Sequence, residues 1–158
     1  MNLKKEIFYA KIVTLIIFIL FLSELAASGA DIPKLFRHYN KKLSQQQAQS
    51  FADLVDKAAE RFHVEPNVIA SIIVVESSAR PNVISKGGDY GLMQVRYKVH
   101  RIKNLLDPEI NIFAGTKIFA DCYKKNHNLR NALIRYSGGN KTMARRVLNV
   151  LRQLERKK

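Results

Sequence analysis

Pro66-Asn67-Val68-Ile69-Ala70-Ser71-Ile72-Ile73-Val74-Val75-Glu76-Ser77 decides the class of this chain. A proline at its head suits the first turn of a helix, where its missing N–H has no intrahelical partner to lose. Ile69, Ile73 and Glu76 follow at i, i+4 and i+7, with Val68, Ile72 and Val75 alongside. Glu76 therefore continues an apolar stripe instead of a solvent face. A carboxyl placed there is poorly solvated when ionised, so it holds its proton to higher pH than a surface glutamate. That makes Glu76 a candidate acid. Taken alone, a helix-end glutamate capped by backbone donors is the plainer reading.

Outward from that helix, the pattern stays helical. Upstream, Ser44 with Gln47 forms a plausible capping box, and Ala48, Phe51, Leu54, Val55, Ala58 and Phe62 recur at spacings of three and four. Residues 31–43 read as a lead-in of mixed charge and little periodicity. Downstream, Pro81 closes the helical region and residues 79–90, with Ser85, Gly87 and Gly88, read as a loop. Gly91-Leu92-Met93-Gln94-Val95 reads as a short strand or an irregular turn. A helix is predicted from Asp107-Pro108, burying Ile110, Phe113, Ala114, Ile118 and Phe119. Another runs from Asn128 to Tyr136 and stops at Gly138-Gly139. A last helix, capped by Thr142, turns Val147, Leu148, Leu151 and Leu154 inward. Strand signals are few and no repeat occurs, so the class is mainly α.

The first thirty residues read differently. Lys4, Lys5 and Lys11 precede an apolar run from Ile12 to Leu22, and small residues follow at Ala26-Ala27-Ser28-Gly29-Ala30. That order is the layout of a secretory signal, and the run is short for a membrane span. Residues 1–30 are therefore expected to be a signal peptide cleaved after Ala30, an uncleaved anchor being the alternative. Residues 31–158 would form the working domain, 128 residues long and large enough for its own core.

Composition narrows the partners. The chain carries a formal charge of +14, of which +13 falls after residue 30. Such a protein seeks polyanions. For an exported, periplasmic or wall-associated chain these are wall peptide carboxylates or anionic lipid headgroups, and nucleic acid is not expected. Lys141, Arg145, Arg146, Arg152, Arg156, Lys157 and Lys158 concentrate charge at the carboxyl end, a solvated face or a surface for retention on an anionic wall or membrane. Cys122 is the only cysteine, which excludes an internal disulfide, and it reads as a small buried hydrophobe. His38, His63, His100 and His127 are scattered, so no metal site is expected.

Four segments in order now invite a comparison: Glu76-Ser77 with Pro81-Asn82 and the Ser85–Gly88 turn; Gly91-Leu92-Met93-Gln94; Asp107-Pro108 with Asn111-Ile112 and Gly115; and Ala132 to Gly139, ending Tyr136-Ser137-Gly138-Gly139. In order and spacing they resemble the lysozyme-like catalytic domain of the soluble lytic murein transglycosylases, over roughly residues 66–139. The resemblance implies a mainly α, lysozyme-like fold with a substrate cleft between helices. It also implies a monomeric enzyme acting on peptidoglycan glycan strands without a cofactor. By that resemblance Glu76 is the acid and then the base, Gln94 offers its amide to the sugar, and Ser77, Met93 and Tyr136 contact substrate or support the acid. The family's Met-Pro pair after the glutamine is Arg96-Tyr97 here, and its asparagine after the tyrosine is Ser137. Val95 to His100 also resembles goose-type lysozymes, which hydrolyse the same bond. Two competing readings follow. Asp89, the acidic residue nearest the motif, would make the protein a muramidase if it activated water, whereas a loop aspartate beside Gly88 more commonly makes a turn bond. The altered Tyr136-Ser137 block and the basic charge would also suit a non-catalytic glycan-binding module.

Overall fold

The computed structural model describes residues 32–156. The expected signal segment, Asp31, Lys157 and Lys158 lie outside the described residues. Seven helices and one two-stranded hairpin make up the described part: α1 Ile32–Tyr39, α2 Gln45–Phe62, α3 Pro66–Ser77, β1 Asp89–Tyr90, β2 Val95–Arg96, α4 Tyr97–His100, α5 Pro108–Asn126, α6 Leu129–Tyr136 and α7 Lys141–Glu155. No described helix is long and apolar enough to cross a membrane.

Helix α3 runs through the centre. Val68, Ile69, Ala70, Ile72, Ile73 and Val74 are all buried, which an apolar helix achieves only when neighbours cover it on several sides. Helices α1, α2 and α7 pack on it directly. Helix α2 opens on the expected capping box: the Gln47 N–H donates to Ser44 Oγ at 3.1 Å, and the Ser44 N–H donates to Gln47 Oε1 at 3.1 Å. Ala48, Phe51, Val55 and Ala58 are buried as expected, while Leu54 and Phe62 are only half-buried against the core.

Three expectations need correction. The lead-in contains a helix, α1, because Ile32 and Phe36 lie one turn apart and both sink fully into the core. Helix α7 is capped by Asn140, not Thr142: Asn140 Oδ1 accepts the Met143 N–H at 3.0 Å. The third concerns α5. Its buried face is Asn111, Ile112, Gly115, Thr116, Phe119 and Ala120, whereas Ile110, Phe113, Ala114 and Ile118 are half-buried flanks. The reason is the partner. Asn111 on that face bonds the backbone of the hairpin turn, and Gly115 and Thr116 lie against the Met93 side chain, so polar and small residues stand where a plain apolar core would take large ones.

Candidate active site

The end of α3 delivers Glu76 into a cleft. Ser78 and Ala79, at φ +55° each, turn the chain sharply away, and the Ser78 N–H donates to the Val74 carbonyl at 2.9 Å. The cleft has a volume of about 660 Å³. Glu76 shares it with Asp89, Gln94 and Arg96 from the hairpin, Val99 and His100 from α4, Ile118 and Cys122 from α5, residues 135–138 around the end of α6, and Asn140 and Met143. Burial, helped by the nearby Asp89 charge and opposed in part by Arg146, pushes the Glu76 carboxyl up to about 7.

The turn from Gly91 brings Gln94 to the cleft, and its construction accounts for several residues at once. Gly91 sits at φ +73°, and a Cβ there would meet the Leu105 carbonyl at 2.5 Å. Met93 is fully buried; its N–H donates to Asn111 Oδ1 at 2.7 Å, and its carbonyl accepts the Tyr136 hydroxyl at 2.7 Å. Both polar groups of that residue's backbone are thus held by side chains from two different helices. The Met93 side chain lies against Gly115, where an added Cβ would meet its Sδ at 2.6 Å, and takes a weak bond from Thr116 Oγ1 at 3.7 Å. Asn111 completes the tie by donating from Nδ2 to the Tyr90 carbonyl at 2.7 Å and the Leu105 carbonyl at 2.8 Å.

Gln94 follows at φ +49°, a left-handed position that a non-glycine residue occupies only when its surroundings enforce it. There its Nε2 donates to the Val83 and Gly91 carbonyls at 3.1 and 2.9 Å, and its side chain lies on the cleft. Tyr136 packs edge-on to Phe119 at 6.1 Å. Burial, followed by the charge of Glu76, raises its phenol well above the ordinary range, so it stays a donor.

The structure therefore gathers Glu76, Gln94 and Tyr136 around one cleft and places Met93 and Ser77 behind it. Ser77 is 1% exposed and donates from Oγ to the Ile73 carbonyl at 3.0 Å, one turn back in its own helix. Neither Ser77 nor Met93 lines the cleft. Cys122 is half-buried on the cleft wall instead of in the core, with its thiol raised by burial. Asp89 does make a turn bond, accepting from Ser85 Oγ at 2.9 Å, yet the residue also lines the cleft. Arg96 binds it through Nε at 2.6 Å and Nη2 at 3.2 Å, and with Ser85 this holds the carboxyl below its usual range despite partial burial. The tie made by Asn111 escaped sequence reasoning. Its signal was an asparagine one turn before a glycine, both inside an apolar helix. Among the described residues, no group of three or more His, Cys, Asp or Glu side chains is arranged to hold a metal.

Comparison with known proteins agrees with this geometry. Residues 53–157 match the transglycosylase SLT domain. Membrane-bound lytic murein transglycosylase E of Buchnera aphidicola is 30% identical over 122 residues, covering 66% of this chain and 55% of its own. A transglycosylase of Enterobacteria phage PRD1 is 27% identical over 90 residues, covering 55% of this chain and 34% of its own. Endo-type membrane-bound lytic murein transglycosylase A of Citrobacter koseri is 33% identical over 92 residues, covering 49% and 45%. This chain thus spans about half or less of the length of these relatives. The matched region contains α3 with its glutamate, the Gly91–Gln94 turn and the helices that hold it, and on that basis the chain belongs to the transglycosylase SLT domain family, with its mainly α, lysozyme-like fold.

Proposed function

We propose that this protein is a lytic transglycosylase that cleaves the MurNAc–GlcNAc bond of peptidoglycan and leaves anhydromuramoyl ends. The observation that carries the reading is Glu76: a carboxyl in a substrate-sized cleft, held near pKa 7 by burial. Such a group is protonated often enough at neutral pH to act as an acid, and basic enough afterwards to act as a base.

Glu76 gives its proton to the glycosidic oxygen as the bond breaks. Positive charge develops at the anomeric carbon, where the substrate's own N-acetyl oxygen supports it. The resulting Glu76 carboxylate then takes the proton of the muramoyl 6-hydroxyl as that oxygen closes on the anomeric carbon. No water is consumed. Gln94 presents its amide oxygen to the sugar, its Nε2 being held by the Val83 and Gly91 carbonyls. Tyr136 acts on the same step from behind, because its hydroxyl fixes the Met93 carbonyl and so the position of Gln94. Met93 and Ser77 work as packing residues in this account, and the enzyme works outside the cytoplasm.

Digestion of purified sacculi with product analysis by mass spectrometry tests the reading. Wild-type protein should release anhydromuramoyl fragments, and Glu76→Gln should release none while still binding glycan. Reducing muramoyl ends from the wild type would make the protein a muramidase instead; full lysis by Glu76→Gln would remove Glu76 as the catalyst.

A further inference from the structure

The cleft has a side branch that the reaction at Glu76 leaves unused. A second pocket, of about 400 Å³, shares His100, Ile118, Cys122 and Arg135 with the first, so the two are continuous. Its build follows from helical spacing. On α5, Ala114, Ile118 and Cys122 recur every four residues and form a mainly apolar floor. Lys117, Asp121 and Lys125 recur at the same spacing one position away and form a charged rim. Helix α6 packs on α5 and brings Arg135 to the same place.

The charges on this rim do not cancel. Asp121 is the only carboxylate lining the branch, and Lys117 takes it, donating from Nζ to Oδ2 at 2.8 Å. The Lys117 bond, with the charges of Lys117, Lys124 and Lys125, holds the Asp121 carboxyl below its usual range. Lys125 and Arg135 are both exposed, and neither has a salt-bridge partner among the described residues. The branch thus sets two unpaired cations above a small apolar floor. Neutral sugars leave such cations unmatched.

We propose that this branch takes the peptide carried by the muramoyl sugar, its carboxylates meeting Lys125 and Arg135 and its alanine methyls lying on Ala114 and Ile118. The peptide site rests on the reading of the cleft as a peptidoglycan site. A glycan strand bound across Glu76 continues along the main cleft, so a pocket opening off its side suits a substituent and not the strand. The wall peptide has the matching chemistry: it is short, rich in methyl groups and anionic. Strands that keep their peptides are therefore held in preference to strands that have lost them.

The test measures, by isothermal calorimetry, the affinity of three soluble ligands. They are a GlcNAc–MurNAc disaccharide carrying its peptide, the same molecule with every peptide carboxylate amidated, and the peptide-free disaccharide. None contains the MurNAc–GlcNAc bond, so binding is read without turnover. Wild-type protein should hold the first about tenfold more tightly than either of the others, as two exposed charge pairs allow. Lys125→Gln combined with Arg135→Gln should bring all three within about twofold. Arg145→Gln combined with Arg152→Gln removes the same charge from α7, outside both pockets, and should keep the preference. Equal affinities in the wild type, no binding of the peptide-bearing ligand, or a preference that survives the loss of Lys125 and Arg135 would overturn the proposal. So would a preference lost equally in the α7 variant, since bulk charge would then be its cause. If the first double variant fails to fold by circular dichroism, Lys125→Gln alone decides: a roughly threefold loss of preference supports, none overturns. Lysis of sacculi by Glu76→Gln would defeat the catalytic reading without touching these affinities. Equal affinities beside an inert Glu76→Gln would defeat only the peptide site.

Discussion

At the scale of single residues, the glutamate that makes this site costs the fold something. Glu76 titrates near 4.5 when free and near 7 in the structure, chiefly because burial disfavours its charge. A carboxyl whose folded pKa lies above its unfolded value binds protons more tightly in the native state. Below pH 4.5 the two states bind alike; between about 4.5 and 7 stability is lost as pH rises, and above 7 the full penalty applies. Each unit is worth about 1.4 kcal/mol, and partial exposure trims the total. Glu76→Gln should therefore raise stability by about 2 kcal/mol at pH 8 and change it little at pH 4, as read by denaturant melts at the two values. The catalytic counterpart has the same origin: activity of the wild type should fall as pH rises through about 7, because the acid form is lost.

At the scale of elements, α5 carries the heaviest duty, and much of it rests on Asn111. Replacing it by leucine, close in volume, would leave the Met93 N–H and the Tyr90 and Leu105 carbonyls without their partners in a buried place. A loss of about 3 kcal/mol is expected, with a drop in turnover because Gln94 rides on that turn. Tyr136→Phe, which removes one bond to the same residue, should cost about 1 kcal/mol; thermal melts of the two variants check the ranking. How far the sequence could be read is clearest here too. The helices with side-chain partners, α2 and α3, announced themselves through apolar spacing and caps. Helix α5 announced its start, Asp107 and Pro108, but not its inner face, because periodicity reports apolar contact and that face sets Asn111 against a backbone and Gly115 against Met93. Helix α1 was too short for a period to show, with Ile32 and Phe36 as its fully buried apolar anchors. Glu76, Gln94 and Tyr136 were legible as cleft residues because family motifs fix them. The clamp on Asp89 was not, since nothing in the spacing of Ser85, Asp89 and Arg96 says that a hairpin will fold them together.

At the scale of the whole molecule, charge sets the terms of encounter with the substrate. The formal charge is +14, and α7 exposes Lys141, Arg145, Arg146 and Arg152 along one amphipathic helix, with Arg156 at its C-cap. We expect this face to hold the protein on an anionic wall or membrane surface. Exposed charges are screened beyond about 10 Å at 0.1 M salt, so co-sedimentation with sacculi should fall several-fold between low and physiological ionic strength. Retention that ignores salt would remove charge as its cause. Neutralising Arg145 and Arg152 together should weaken retention several-fold and leave turnover of short soluble glycans unchanged, since neither residue lines the cleft.

The clamped backbone of Met93 has one more consequence, for how the protein fails. Many enzymes carry their working loops on the least stable part of the structure, so they lose activity before they melt. Here the turn beside the acid is fastened to α5 by Asn111 and to α6 by Tyr136, while its side chain fills the gap that Gly115 leaves. The turn cannot come loose unless those helices part. Heat or denaturant should leave each molecule either intact and working or collapsed and inert, with no half-open population shedding activity early.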